Sequence, residues 1–307
     1  MPGYFRSGGG SARPTLIALG GFDSTAEEVY CWLGEAATAH GWNTLSVEGP
    51  GQWGALMDNP DQRFRPDYEK PVGAAVDYLC SRPDVDRDRI ALIGYSMGGY
   101  LAVRGALDPR IKACIPNTLV VDCGAAARAG MKGLVKHEAL MDMIFGLLLK
   151  VNTPARWGFQ HSQWALGIHS AHEWVAAYEG YSVKGLENRY TSPMLFLFSE
   201  DDVRDAAASS PTIVEGLLDF MLGLKCKRFI RLFTRREGAS RHCQMGGLSY
   251  ARSTVFGWLD HVLCSKGALT PAEPTAGRTF VELFTRYGGK ASESKAKELA
   301  AKAQLIE

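Results

Sequence analysis

The stretch RIALIGYSMGGYLAV places Ser96 between Gly94 and Gly98, after an apolar run and ahead of a helical one. That is the pattern of a nucleophile elbow, a strand-turn-helix whose turn is so tight that the residues two before and two after the serine must lack bulky side chains. A serine hydroxyl is a weak nucleophile and needs a base, and the base needs a group to orient it, in the chain order serine, acid, histidine. The apolar run MLFLFSE ends at Glu200-Asp201-Asp202, which makes Asp202 the expected orienting carboxylate and Asp201 the fallback. Further on, KRFIRLFTRREGASRHCQM reads as a last strand followed by a glycine-containing loop that presents His242 as the general base.

Acyl chemistry also needs donors for a developing oxyanion. The backbone N–H of Met97, just after the nucleophile, is one expected donor, and Gly21 or Phe22 in LIALGGFDSTAEE is the other. A dinucleotide reading of that glycine turn fails on spacing, because no third glycine follows at the G-x-G-x-x-G interval and acids follow the turn. Asp23 has two readings, an acid beside the oxyanion loop or a cap for the helix that begins near Ser24. Cys243 sits beside His242, but neighbours in a chain rarely face each other, so a structural thiol is the expectation. The other histidines fall in covering helices or in a helical insert, and no HExxH or similar spacing implies a metal. Neither a metal nor a cofactor is expected.

These residues must be carried by strands that end at one edge. PTLIALGG, WNTLSVEGP, RIALIGYS, IKACIPNTL, MLFLFSE and KRFIRLF are short apolar runs bounded by turn residues, and helical patterns such as AEEVYCWLGEAATAHG separate them. The alternation predicts an α/β fold, a doubly wound, mostly parallel sheet covered on both faces. It breaks over residues 123–189, read as an inserted helical cap between core segments 1–122 and 190–265. Trp157, Phe159, Trp164, Trp174, Tyr178 and Tyr181 give that cap a dense aromatic supply. Residues 266–307 read as a C-terminal helical extension, with ASESKAKELAAKAQ as a solvated terminal helix. The chain has 307 residues, 46% of them hydrophobic, and Lys+Arg 34 against Asp+Glu 33 leaves a net charge of +1. No global field favours nucleic acid or an anionic membrane, so a small-molecule substrate is expected. No apolar run reaches the length of a membrane span, and MPGYFRSGGGSARP lacks the core of a signal peptide. Seven cysteines without a CxxC pair read as reduced thiols in a cytoplasmic protein.

In RPTLIALGGFDSTAEE, VEGPGQW, RPDYEKPVGAAVDYL, the elbow segment and EGASRHCQMGGLSYARSTVFGWLDHVL, the chain resembles a particular group of α/β-hydrolases. These are the fungal polyketide-shortening hydrolases of melanin and naphthopyrone pigment pathways and 2,6-dihydroxypseudooxynicotine hydrolase. The resemblance implies hydrolysis of a carbon-carbon bond next to a ketone in an acyl side chain of a polyketide or aromatic ketone, within secondary-metabolite or pigment biosynthesis. It implies Ser96, Asp202 and His242 as the triad and Asp23 as a group that polarises or protonates substrate; Tyr95, Trp157 and Trp164 are expected to touch substrate. A homodimer is carried as an expectation. Relatives bear a mostly helical segment before the RPTLIALGG strand, where it helps cover the site; this chain starts almost at that strand, which leaves pocket closure and the dimer as open expectations. A carboxylesterase or acyl transferase with the same triad is the alternative activity, and a non-catalytic binder on the same scaffold is the other.

Overall fold

The computed structural model describes residues 1–131, 136–272 and 274–306. Its strands are β1 (Gly3–Arg6), β2 (Arg13–Leu19), β3 (Asn43–Val47), β4 (Val85–Tyr95), β5 (Ile111–Asn117), β6 (Met194–Ser199), β7 (Arg228–Phe233) and β8 (Gln304–Leu305). They form one sheet in the order β1-β3-β2-β4-β5-β6-β7-β8, antiparallel only between β1 and β3. The central strands read as unbroken apolar runs because both faces are covered, and the period of two sends alternate side chains to opposite layers. Ile17, Leu19, Ile90 and Leu92 enter one core, while Leu16, Ala18, Ala91 and Ile93 enter the other.

The first helices in the chain are α1 (Ala26–Ala39), α2 (Trp53–Asp58), α3 (Glu69–Ser81) and α4 (Met97–Gly105). Between β5 and β6 come α5 (Cys123–Met131), α6 (Glu138–Val151), α7 (Thr153–Leu166) and α8 (Ala171–Ala177). After β6 follow α9 (Glu200–Ser209), α10 (Pro211–Gly223), α11 (Leu248–Cys264) and α12 (Pro274–Lys302). Residues of α3, α4, α10 and α12 pack into the first core and residues of α1 and α11 into the second. Local signals set several helix ends. Thr25 accepts from the Glu28 N–H at the start of α1, Asn152 caps α7 ahead of Pro154, and Gly167 stops α7 at φ 74°. The outer side of α6 leaves Leu140, Met143, Ile144, Leu147, Leu148 and Val151 exposed.

The C-terminal segment departs from expectation. It is not a solvated helix: Phe280, Phe284, Ala296 and Leu299 are fully buried, and β8 extends the sheet beside β7, so KRFIRLF is not the last strand. The Ala/Lys/Glu composition hid this because only every third or fourth residue of the helix faces inward. The edge strand β1, also unread in the sequence, is too short at four residues to carry a strand pattern.

Sheet order explains the meeting of two distant motifs. From β2 the chain moves outward to β3, then returns across β2 to β4, so the strand order reverses between β2 and β4. Loops leaving the carboxyl ends of two such strands splay to opposite faces and open a crevice between them. The GGFDS loop follows β2 and the elbow follows β4.

Candidate active site

Strand β4 ends at Tyr95, α4 begins at Met97, and Ser96 between them sits at φ 58°, ψ −124°, a conformation that costs a non-glycine residue about 1–3 kcal/mol. The close approach of neighbouring backbone explains the flanking glycines. A Cβ on Gly94 would lie 1.8 Å from the Gly98 carbonyl oxygen, and one on Gly98 would lie 2.5 Å from the Gly20 oxygen. The Ser96 N–H donates to the Asn117 carbonyl at 3.0 Å, which anchors the turn to β5. The β2 loop abuts Ser96 itself, since a Cβ on Gly21 would stand 2.9 Å from the Ser96 Cβ.

Asp202 and His242 arrive from separate loops. The His242 Nδ1 lies 2.7 Å from Asp202 Oδ1, and Thr118 Oγ1 donates to Asp202 Oδ2 at 2.7 Å. Asp202 has no free choice of partner, because each of its oxygens is held by one group. The imidazole side chain is 51% exposed, whereas the carboxylate is 19% exposed. The pair raises the His242 pKa, first through the Asp202 hydrogen bond and then through the neighbouring Cys243 thiol, to about 10. The fallback, Asp201, is occupied elsewhere: it is buried and accepts from Arg235, Arg204 and Ser240, which hold its carboxyl below the usual range.

The loop that carries His242 needs unusual backbone. Cys243 and Gln244 both lie in the left-handed region, at φ 54° and 57°. A buried reciprocal amide pair holds them there. Asn117 Nδ2 donates to Gln244 Oε1 at 2.7 Å, Gln244 Nε2 returns to Asn117 Oδ1 at 3.0 Å and also reaches Ser199 Oγ at 3.0 Å. Asn117 thus touches both the nucleophile turn, through its carbonyl, and the histidine loop, through its side chain.

Ser96, Met97, Phe22, Thr118 and His242 all line one cavity of about 580 Å3. Its far wall is apolar and comes from the helices between β5 and β6, with Phe145, Phe159, Trp174 and Tyr178 prominent. Among the described residues, no Asp, Glu, Lys or Arg lines it. Nor does any of the expected oxyanion N–H groups, of Gly21, Phe22 or Met97, donate a hydrogen bond among the described residues.

Four residues read as substrate contacts stand outside this lining. Asp23 is exposed, and it does not cap α1 either, since Thr25 does. Tyr95 is buried in the opposite core against Trp32 at 5.0 Å, because its place just before Ser96 sends its side chain to the other side of the sheet. Trp157 stacks on His161 at 5.6 Å and is half exposed, and Trp164 packs against Trp53 at 4.9 Å. Sequence reasoning missed Thr118, which sits at φ 68° just past β5; its place at the carboxyl end of a strand beside the elbow was the available signal. It also missed Gln52 and passed over His161, both of which touch the Gly20–Asp23 backbone.

The description of the Alpha/beta hydrolase family matches residues 18–258. Among curated proteins, the chain is 29% identical over 268 residues to 20-hydroxy-prefusarin hydrolase FUS2 of Gibberella moniliformis, covering 82% of this chain and 63% of that protein. It is 28% identical over 286 residues to the alpha/beta hydrolase psoB of Aspergillus fumigatus, covering 85% of this chain and 64% of the relative. The chain thus spans a little under two thirds of the length of these relatives. Among solved structures, 2,6-dihydroxy-pseudo-oxynicotine hydrolase superposes with a TM-score of 0.62 at 22% identity, over 86% of this chain and 65% of that one. Est1E from Butyrivibrio proteoclasticus, bound to ferulic acid, superposes with a TM-score of 0.56 at 18% identity, over 86% and 96%. With sheet order, elbow and family match all falling on the same core, the chain belongs to the alpha/beta hydrolase family.

Proposed function

We propose that this protein is a serine hydrolase that cleaves the carbon-carbon bond next to a ketone in an acyl side chain of a polyketide or similar aromatic ketone. The observation that carries the reading is that one apolar cavity is lined both by the strained Ser96 and by an imidazole already paired to Asp202. Neutral His242 takes the Ser96 proton as Oγ attacks the carbonyl, and the tetrahedral oxyanion is received by the Met97 and Phe22 N–H groups. Asp202 keeps the proton on Nδ1 and stabilises the imidazolium that forms. Collapse expels the carbon leaving group as an enolate stabilised by a neighbouring carbonyl or ring. The imidazolium protonates it, and water activated by His242 then releases the carboxylic acid from Ser96.

The uncharged wall suits a neutral aromatic or aliphatic acyl ketone rather than an acid or a phosphate ester. The chain's similarity to 20-hydroxy-prefusarin hydrolase supports a secondary-metabolite substrate. All seven thiols are free, which fits a cytoplasmic setting.

One observation favours a second reading, a carboxylesterase. With Asp23 outside the cavity, no carboxyl group stands among the described lining residues to protonate a carbon leaving group, and His242 alone must do so. An alkoxide leaves with less assistance. Mass spectrometry of the acid released from acyl-aromatic ketones, run beside p-nitrophenyl acetate, separates the two. Release of the ketone-derived acid, abolished in Ser96→Ala, is expected; rapid ester turnover with untouched ketones refutes the carbon-carbon assignment.

A further inference from the structure

The motif VEGPGQW takes no part in the attack, yet its side chains hold the oxyanion arm. Glu48, buried, accepts from the Ala26 N–H at 2.5 Å and from the Gly54 N–H, fixing the first turns of α1 and α2 beside the loop. Gln52 is fully buried. Its Oε1 accepts from the Gly49 N–H at 2.9 Å and from the Tyr68 hydroxyl at 3.2 Å, which settles the orientation of the amide. Its Nε2 therefore donates to the carbonyls of Gly20, at 3.0 Å, and Gly21, at 3.1 Å. The next carbonyl, that of Phe22, lies 2.9 Å from His161 Nε2. A carbonyl only accepts, so that nitrogen carries the proton. The Asp23 carbonyl completes the series by accepting from Trp53 Nε1 at 3.0 Å.

Peptide geometry converts these grips into a direction. No peptide bond in the described chain is cis, and in a trans peptide C=O and N–H point opposite ways. The carbonyl of Gly21 and the N–H of Phe22 belong to the same peptide unit. Holding the Gly21 oxygen on Gln52 therefore aims the Phe22 N–H away from Gln52. The same short loop adjoins both groups: a Cβ on Gly20 would come within 3.4 Å of Gln52 Nε2, and one on Gly21 would stand 2.9 Å from Ser96 Cβ. The His161 bond pins the peptide unit on the far side of Phe22, and His161 is itself clamped by the stacked Trp157 and by the edge-on Phe22 ring at 4.7 Å.

We propose that Gln52, from the core, and His161, from helix α7, are positioning residues of the oxyanion hole that together aim the Phe22 N–H at the substrate carbonyl. Helix α7 also brings Phe159 and Ser162 to the cavity wall, so the surface that seats the acyl group and one grip on the oxyanion donor share a single helix. The proposal rests on Ser96 being the nucleophile.

The test compares Gln52→Met, His161→Phe and His161→Gln with the unaltered protein on a p-nitrophenyl ester. A trifluoromethyl ketone serves as the inhibitor, because its adduct with serine carries the oxyanion. Gln52→Met and His161→Phe should each lower kcat by about 10- to 100-fold, approaching the loss of a whole donor, while KM stays within about threefold. Affinity for the trifluoromethyl ketone should fall by the same factor as kcat. His161→Gln, which keeps a donor near the same place, should recover most of the loss, and the histidine pair decides the matter if Gln52→Met does not fold. Variants whose kcat and inhibitor affinity equal the unaltered protein's overturn the proposal, as does a loss confined to KM or Tm. Failure of the unaltered protein to react with a fluorophosphonate at Ser96 overturns the nucleophile reading instead, and the two failures are distinguishable.

Discussion

Replacing Gly21 by alanine tests the oxyanion arm with a single methyl group. Gly21 is not in the left-handed region, so alanine brings no backbone penalty of that kind, and the effect is purely one of space. The added Cβ would stand 2.9 Å from Ser96 Cβ and 3.1 Å from the Tyr95 oxygen. Ordinary carbon-carbon contact is about 3.5–4.0 Å, so the loop or the serine must give way by about 0.6–1.1 Å. A misplacement of about 1 Å at a reacting centre costs about 100-fold, equivalent to about 2.7 kcal/mol of barrier. The wall that seats the acyl group, Phe145, Phe159, Trp174 and Tyr178, comes from other elements and is untouched. The expected result with p-nitrophenyl butyrate is therefore a kcat lower by about 100-fold with KM within about threefold. A thermal melt accompanies the assay to exclude a folding defect. A folded Gly21→Ala protein with kcat within about threefold of the unaltered one refutes the placement of the β2 loop against a catalytic Ser96.

Three further predictions concern the base, the helix cap and the C-terminal helix. The proposed attack needs neutral His242, whose pKa is raised to about 10, so under that proposal kcat/KM should keep rising above pH 8; in Asp202→Asn the limb should move to lower pH and kcat should fall by about 10,000-fold. A folded-state pKa above the unfolded value means the same pair stabilises the fold fully below about pH 6.5 and loses that contribution as pH rises toward about 10. Denaturant titrations of Asp202→Asn against the unaltered protein at pH 6 and pH 10 should show the difference shrinking, and a constant difference would contradict the assignment. Thr25→Ala should cost about 1 kcal/mol by loss of the α1 cap, whereas Asp23→Asn should change stability by less than about 0.5 kcal/mol and leave ester turnover unaltered. Phe284→Ala should cost about 3–5 kcal/mol in urea unfolding, because that fully buried ring meets Phe198 of β6 at 5.6 Å; a surface-like value would show that α12 is dispensable to the core.

Much of the site was legible because its parts are local. The glycines at 94 and 98 are dictated by a turn within a few residues, and the two apolar runs that end at Ser199 and Phe233 announce where loops reach the carboxyl edge. Asp201 and Asp202 could not be separated that way. Adjacent residues in the first turn of α9 point in different directions, and the positions of Arg235 and Ser240, far along the chain, help show which of them is already paired. The aromatic residues of the insert were visible as a group, but helix rotation decided that Phe159, Trp174 and Tyr178 face the cavity while Trp157 and Trp164 pack around His161 and Trp53.

What the sequence determined by itself was periodic or contiguous: the doubly wound sheet, the elbow, the order of serine, acid and histidine, and the glycine turn after β2. These follow from backbone sterics and from the spacing of apolar residues, which act over a few positions. What only the tertiary structure decided was direction and closure across the chain. Thr118 on Asp202, the Asn117–Gln244 pair behind His242, and Gln52 and His161 on the oxyanion arm join residues 84, 127, 32 and 139 positions apart, as a folded sheet edge brings loops together without regard to their separation. A hydrogen bond reads distance and angle at one point in space, and no local pattern encodes either.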